Sequence, residues 1–127
     1  MKYILDTHAI IWLIENNKKM PNKIKDIVRL QENIICISSA SLWEIAIKMD
    51  LGKLTLSVSF EELLNHINTR DFDILQIKDD YLKELMKLPK IHTDPFDRMI
   101  ISTAISEGLT ILTTDNNIQK YNVSWIW

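Results

Sequence analysis

A chain of 127 residues, 46% apolar and 25% charged, has the make-up of one globular domain with a real core, which sets disorder aside. A net charge of −2 leaves no global basic field for nucleic acid, so any such contact must rest on local lysines. The lone Cys36 cannot form an internal disulfide and reads as a small buried hydrophobe. No apolar run approaches the ~20 residues of a membrane helix, and MKYILD does not open a signal peptide, so a cytoplasmic location is expected.

In chain order, KYIL (2–5) is a short apolar run that reads as a buried strand turning at Asp6-Thr7-His8 into a helix, AIIWLIE (9–15). A polar loop, NNKKMPN (16–22), places Pro21 at the start of a helix over IKDIVRLQ (24–31). NIICI (33–37) is a second strand, and SSASLWEIAIKMDLGK (38–53) a helix opened by serines and stopped at Gly52. SFEELLNHIN (59–68) opens on a Ser59…Glu62 capping box. FDILQI (72–77) alternates like a strand, and DDYLKELMKL (79–88) is an amphipathic helix halted by Pro89. DPFDRMIISTAISEG (94–108) is a helix with Asp94 as N-cap, Pro95 at the first helical position and Gly108 just past its end. LTILTT (109–114) is a strand, DNNIQKY (115–121) a short helix and VSWIW (123–127) a last strand. This alternation predicts a single α/β domain around a mostly parallel sheet.

In such sheets, sites form at the carboxyl ends of the strands, near a reversal in strand order. Asp6 directly follows the first strand and Asp115 the fourth. Glu44 lies near the start of the helix after the second strand. Asp97 lies at the start of the helix before the fourth, which runs antiparallel to that strand and so begins at the same edge. Four carboxylates from four distant segments are therefore expected to converge. Crowded carboxylates repel, and a hard divalent cation such as Mg²⁺ or Mn²⁺ removes the conflict.

Taken alone, each acid also has a local explanation. Asp6 suits a turn, Asp94 an N-cap, Asp97 the first turn of a helix, and Asp115 the cap of the short helix. Glu44 suits an ion pair with Lys48 on a solvated helix face. Asp97 departs from its local explanation because Ile101 continues its face one turn on, along a buried row. The shared edge is the argument, not any single acid. His8 reads as a neighbour of Asp6 or a packing residue, His66 as solvated, and His92 as a residue fixing the loop before DPFDR. No His/Cys spacing suits zinc, and Trp12 and Trp43 read as core rather than as a base-stacking platform.

LDTHAIIW, SSASLWEIAIKMDLGKL, HTDPFDRMIISTA and GLTILTTD resemble, in order and spacing, the PIN-domain nucleases, and among them the VapC toxins of bacterial type II toxin–antitoxin pairs. The resemblance covers essentially the whole chain. It implies a three-layer fold with a parallel sheet in strand order 3-2-1-4-5 between helices. It places the family's acidic quartet on Asp6, Glu44, Asp97 and Asp115, as metal ligands and catalytic residues, and its conserved hydroxyl on Thr113. It further implies metal-dependent endonucleolytic hydrolysis of RNA, with an activated water attacking phosphorus to leave a 5′-phosphate and a 3′-hydroxyl. A homodimer and a cognate VapB-like antitoxin are implied as partners. The antitoxin's tail would cover the acidic pocket, and DNA would be reached only through the antitoxin. Arg98 is expected to hold a carboxylate, meet a phosphate or form a structural ion pair. Lys48, Lys53, Lys18 and Lys19 are candidate phosphate contacts or plain surface charges.

Three other readings compete. A phosphatase of the HAD type needs a second aspartate two residues after the first, where this chain has His8. A non-catalytic PIN-fold module binding RNA or protein sits poorly with a complete quartet. A PIN nuclease of RNA processing, without antitoxin, sits poorly with the small size.

Overall fold

The computed structural model describes all of residues 1–127. Five strands make one sheet: β1 (Lys2–Leu5), β2 (Ile34–Ser38), β3 (Asp73–Leu75), β4 (Thr110–Leu112) and β5 (Trp125–Ile126). Their order is β3-β2-β1-β4-β5, and every pairing is parallel. The order reverses between β1 and β4, as the resemblance implies. Seven helices complete the chain: α1 (Thr7–Ile14), α2 (Asn22–Arg29), α3 (Ser39–Asp50), α4 (Phe60–Thr69), α5 (Asp79–Lys87), α6 (Pro95–Glu107) and α7 (Asn116–Gln119). None is long and apolar enough to cross a membrane.

Parallel strands covered on both faces must be apolar on both, and alternate side chains then feed two cores. Tyr3 and Leu5 of β1, Ile35 and Ile37 of β2, and Leu112 of β4 face a core built with α1 to α4. Ile4, Cys36 and Ile111 face the opposite core, built with Ile100, Ile101 and Ala104 of α6 and with Ile118 and Tyr121. Cys36 is buried and unpaired, as its sequence setting suggests. A slip of one residue in β1 would exchange the two sets, so register is strongly specified.

The long helices carry their own punctuation. Asp94 caps α6, its Oδ1 accepting from the Phe96 and Asp97 N–H groups at 2.9 Å each, with Pro95 in the first turn. From Met99 to Ala104 every residue of α6 is buried, because the helix lies between the sheet and α5. Ser102 and Thr103 survive there by donating to the Arg98 and Met99 carbonyls, at 2.8 and 2.7 Å. The Ser59 hydroxyl accepts from Glu62 N–H at 3.1 Å, forming that leg of the capping box. Element ends differ from expectation by a few residues. α1 begins at Thr7 rather than at residue 9, because Asp6 itself caps it. β3 and β4 shrink to three residues each, where neighbouring strands run out of partners.

α6 ends on Gly108, which adopts φ +66° and ψ +41°. A Cβ there would meet nothing within 4 Å, so only backbone strain opposes a side chain. Gly108→Ala should therefore lower the unfolding free energy by about 1–2 kcal/mol without altering the fold. Denaturant titration checks this, and an unchanged midpoint would contradict the strain argument.

Candidate active site

Asp6 leaves β1 and caps α1. Its Oδ1 accepts from Ala9 N–H at 2.7 Å, and its Oδ2 accepts a short hydrogen bond from the Thr113 hydroxyl. Thr113 follows β4, so this bond joins the ends of the two strands at the reversal. The same hydroxyl accepts from Asp115 N–H at 2.9 Å, tying a second acid to the first. Asp6 is only 2% exposed. Burial raises its pKa above the ordinary carboxylate value. The bonds from Thr113 and Ala9 and the nearby His8 oppose that rise, and the charge of Asp115 adds to it.

Asp115 caps α7, its Oδ1 accepting from Asn117 and Ile118 N–H at 2.8 and 3.1 Å. Its other oxygen has no hydrogen-bond partner within the chain. The local explanation thus holds for both Asp6 and Asp115, and neither cap removes the carboxylate from the edge.

Glu44 stands at the middle of α3, and the expected ion pair with Lys48 is present at 2.7 Å. The face is not solvated, however: Glu44 is 4% exposed and the second oxygen accepts from the Thr7 hydroxyl at 2.7 Å. Thr7 in turn lies 3.1 Å from the Ser41 hydroxyl. Lys48 feels Glu44 most, and then Asp94 and Asp97. The hydrogen bond to Glu44 is the main cause of its raised pKa. Of the four candidate lysines, Lys48 joins the acids. Lys18 and Lys53 are exposed, and Lys19 sits over the Trp12 ring at 5.7 Å.

Asp97 lies in the first turn of α6, with Oδ2 3.2 Å from His92 Nε2. Burial, and then the charge of Asp94, push its pKa up to about 6. The His92 contact opposes this, and the charges of Asp115 and Glu44 add to it. Among the predicted acids, Asp97 thus feels both Asp115 and Glu44, and Asp115 also acts on Asp6. They do not form a preassembled cage: no three His, Cys, Asp or Glu side chains stand at metal-holding distance. Each carboxylate is held by its own neighbours instead. A surface hollow of about 460 Å³ lies at the opposite end of the sheet, beside Arg29 and Arg70.

Two expectations change. Arg98 holds no carboxylate and joins no ion pair, because its guanidinium is taken up by a backbone carbonyl and a tyrosine hydroxyl. It donates to the Pro89 carbonyl at 2.9 Å and the Tyr121 hydroxyl at 3.0 Å. Trp43 is not core but 61% exposed, since α3 buries Ala40, Ser41, Glu44 and Ile45 and turns position 43 outward. It meets Phe96 edge-on, with ring centroids 5.4 Å apart. Trp12 is half-buried against Trp127. His8 and His66 are exposed, whereas His92 does fix its loop. Sequence reasoning missed Thr7, Ser41 and Tyr121. All three act through partners more than twenty residues away, and no local spacing signals them.

Residues 3–123 match the PIN domain family. The chain is similar to the tRNA(fMet)-specific endonuclease VapC of Shigella flexneri, 29% identical over 95% of this chain and 90% of that protein. The Salmonella typhimurium protein of the same name is 28% identical with the same coverage. Among solved structures, VapBC2 from Rickettsia felis bound to a promoter DNA fragment has a similar fold. Its TM-score is 0.75 at 21% identity, covering 100% of this chain and 99% of that one. FitAcB from Neisseria gonorrhoeae has a TM-score of 0.66 at 19% identity, covering 100% and 97%.

The direction of the Asp97 shift fixes a pH dependence. With a folded pKa raised from 3.8 to about 6, the fold disfavours the charged form. The stability Asp97 contributes is fully present below 3.8 and is lost as pH rises through about 6. In metal-free protein, Asp97→Asn should raise the melting temperature by a few degrees at pH 7 and by little at pH 4. A difference that does not change with pH would refute the assignment.

Proposed function

The chain belongs to the PIN domain family, and from that premise we propose that it is a metal-dependent endoribonuclease of the VapC type, silenced by a cognate VapB-like antitoxin. The observation that carries the proposal is the convergence of Asp6, Glu44, Asp97 and Asp115, from four segments, at the strand-order reversal. Their donor set is all carboxylate oxygen, with no thiolate, which fits Mg²⁺ or Mn²⁺ and not zinc. The raised pKa of Asp97 supports this, since burial and like charge are what a bound cation offsets.

Asp6, Asp97 and Asp115 would hold the cation, with Glu44 as a further ligand or a residue orienting water. A cation held there supplies Lewis-acid polarisation of a phosphodiester oxygen and makes water more acidic. The chain's own work is positional. Thr113 holds Asp6 against Asp115, and Thr7 with Lys48 holds Glu44. Lys48, partly exposed and bound to Glu44, is placed to meet a phosphate entering beside the acids. The substrate is RNA. Transfer RNA is the class to try first, because two similar proteins are named for it. The acidic edge would attract an arginine or lysine from an antitoxin tail on electrostatic grounds. A homodimer in the cytoplasm, touching DNA only through the antitoxin, completes the proposal.

Antitoxin-free protein should cut transfer RNA into discrete fragments with 5′-phosphate ends when Mg²⁺ or Mn²⁺ is added. EDTA should stop the cleavage, and Asp6→Asn should slow it by at least about a hundredfold. Intact RNA with every metal, from a folded protein, would leave the fold as a binding module.

A further inference from the structure

Arg98, Tyr121, His92 and Asp97 form a continuous chain of polar contacts. Arg98 Nη1 lies 3.0 Å from the Tyr121 hydroxyl, that hydroxyl lies 2.8 Å from His92 Nδ1, and His92 Nε2 lies 3.2 Å from Asp97 Oδ2. Its direction follows from donor chemistry. A guanidinium has no acceptor, so Arg98 donates and the Tyr121 oxygen accepts. His92 backbone N–H also approaches that oxygen, at 3.4 Å. With two donors already on it, the tyrosine oxygen has no place for a third, and its own proton must go to His92 Nδ1. The imidazole is then neutral, carries its proton on Nε2, and donates to Asp97. The other oxygen, Asp97 Oδ1, has no hydrogen-bond partner within the chain.

The chain is built rather than incidental. Tyr121 is 4% exposed, and the His92 and Asp97 side chains are 12% and 16% exposed. Arg98 is anchored by the Pro89 carbonyl, so its position does not depend on Tyr121 alone. His92, Asp97 and Arg98 lie within the one stretch HTDPFDR, and Tyr121 reaches them from the turn after α7, 23 residues beyond Arg98.

We propose that Arg98, Tyr121 and His92 are positioning residues that orient the Asp97 carboxylate so that Oδ1 is presented to a divalent cation. This rests on the reading of the acidic edge as a metal site. Ligands oriented by an outer hydrogen bond lose affinity when that bond is removed, typically by about 10–100-fold.

The test is Mn²⁺ titration of purified protein, read by the free-ion paramagnetic signal, with thermal melts and nitrogen NMR of the histidine rings in parallel. Tyr121→Phe keeps the buried ring and deletes only the hydroxyl. His92→Ala deletes the donor, and His92→Gln restores an N–H near the position of Nε2. Mn²⁺ affinity should fall about tenfold or more in His92→Ala and several-fold in Tyr121→Phe, and His92→Gln should recover most of it. His92 in the metal-free protein should show the Nε2–H tautomer, and Tyr121→Phe should release it into a mixture. Normal Mn²⁺ binding by the wild type with unchanged affinity in Tyr121→Phe and His92→Ala would overturn the inference alone, even if both variants melt earlier. So would an Nδ1–H tautomer. No Mn²⁺ binding by the wild type would overturn the metal-site reading and this inference with it.

Discussion

A carboxylate removed from water is costly unless hydrogen bonds or opposite charge replace its hydration, and like charges beside it raise the cost. This chain brings one carboxylate to the same sheet edge from each of four segments. Asp6 is held by Thr113 and Ala9, Glu44 by Thr7 and Lys48, Asp97 by His92, and Asp115 by the first turn of α7. The edge stays acidic because these partners are mostly neutral dipoles that steady a carboxylate without cancelling its charge. Lys48 is the one cation paired with the quartet.

Such an edge works against the stability of the fold, and the two cores supply the compensation. The strands alternate between them with almost no polar interruption, and α6 is buried for a run of six residues directly beyond Asp97. Every buried side-chain polar atom has a partner. The electrostatic cost falls on Asp6 and Asp97 at the carboxyl edge, where a bound cation would offset it.

The fold was largely legible in the sequence. Two signals are local and strong: apolar runs short enough to be buried strands, and helix ends marked by Asp94-Pro95, Ser59 and Gly108. Their alternation limits the topology, since a right-handed crossover puts the start of each following helix at the carboxyl edge. That edge, and with it the meeting of Asp6, Glu44, Asp97 and Asp115, can be derived without coordinates. Strand order itself came from the resemblance, because local pattern does not say which strands pair. Trp43 shows the limit of periodicity. Position 43 sits among apolar neighbours on α3, yet the buried stripe passes through Glu44 and leaves the indole outside. A polar residue inside the buried stripe was the missing clue, and it is the kind of residue a hydrophobic pattern is built to ignore.

The acids divide by how they are anchored, and that division explains what sequence could and could not reveal. Asp6 and Asp115 each use one oxygen to cap the helix that follows. Capping is a spacing rule, so their placement is readable, and it does not compete with a second role because a carboxylate has two oxygens. Asp94 caps α6 in the same way, its Oδ1 taking both bonds, and its charge acts on Asp97 and Lys48. Glu44 is anchored across the chain by Thr7, and Asp97 by His92, five residues before it, with Tyr121 behind. Thr7 and Tyr121 are chosen by tertiary contact, and the direction of each hydrogen bond is set by which group lacks an acceptor or a donor. Arg98 illustrates the point. Sequence offers it acids close by, yet its guanidinium is bound to the Pro89 carbonyl and the Tyr121 hydroxyl, and a direct ion pair with Asp97 would neutralise charge that the edge assembles.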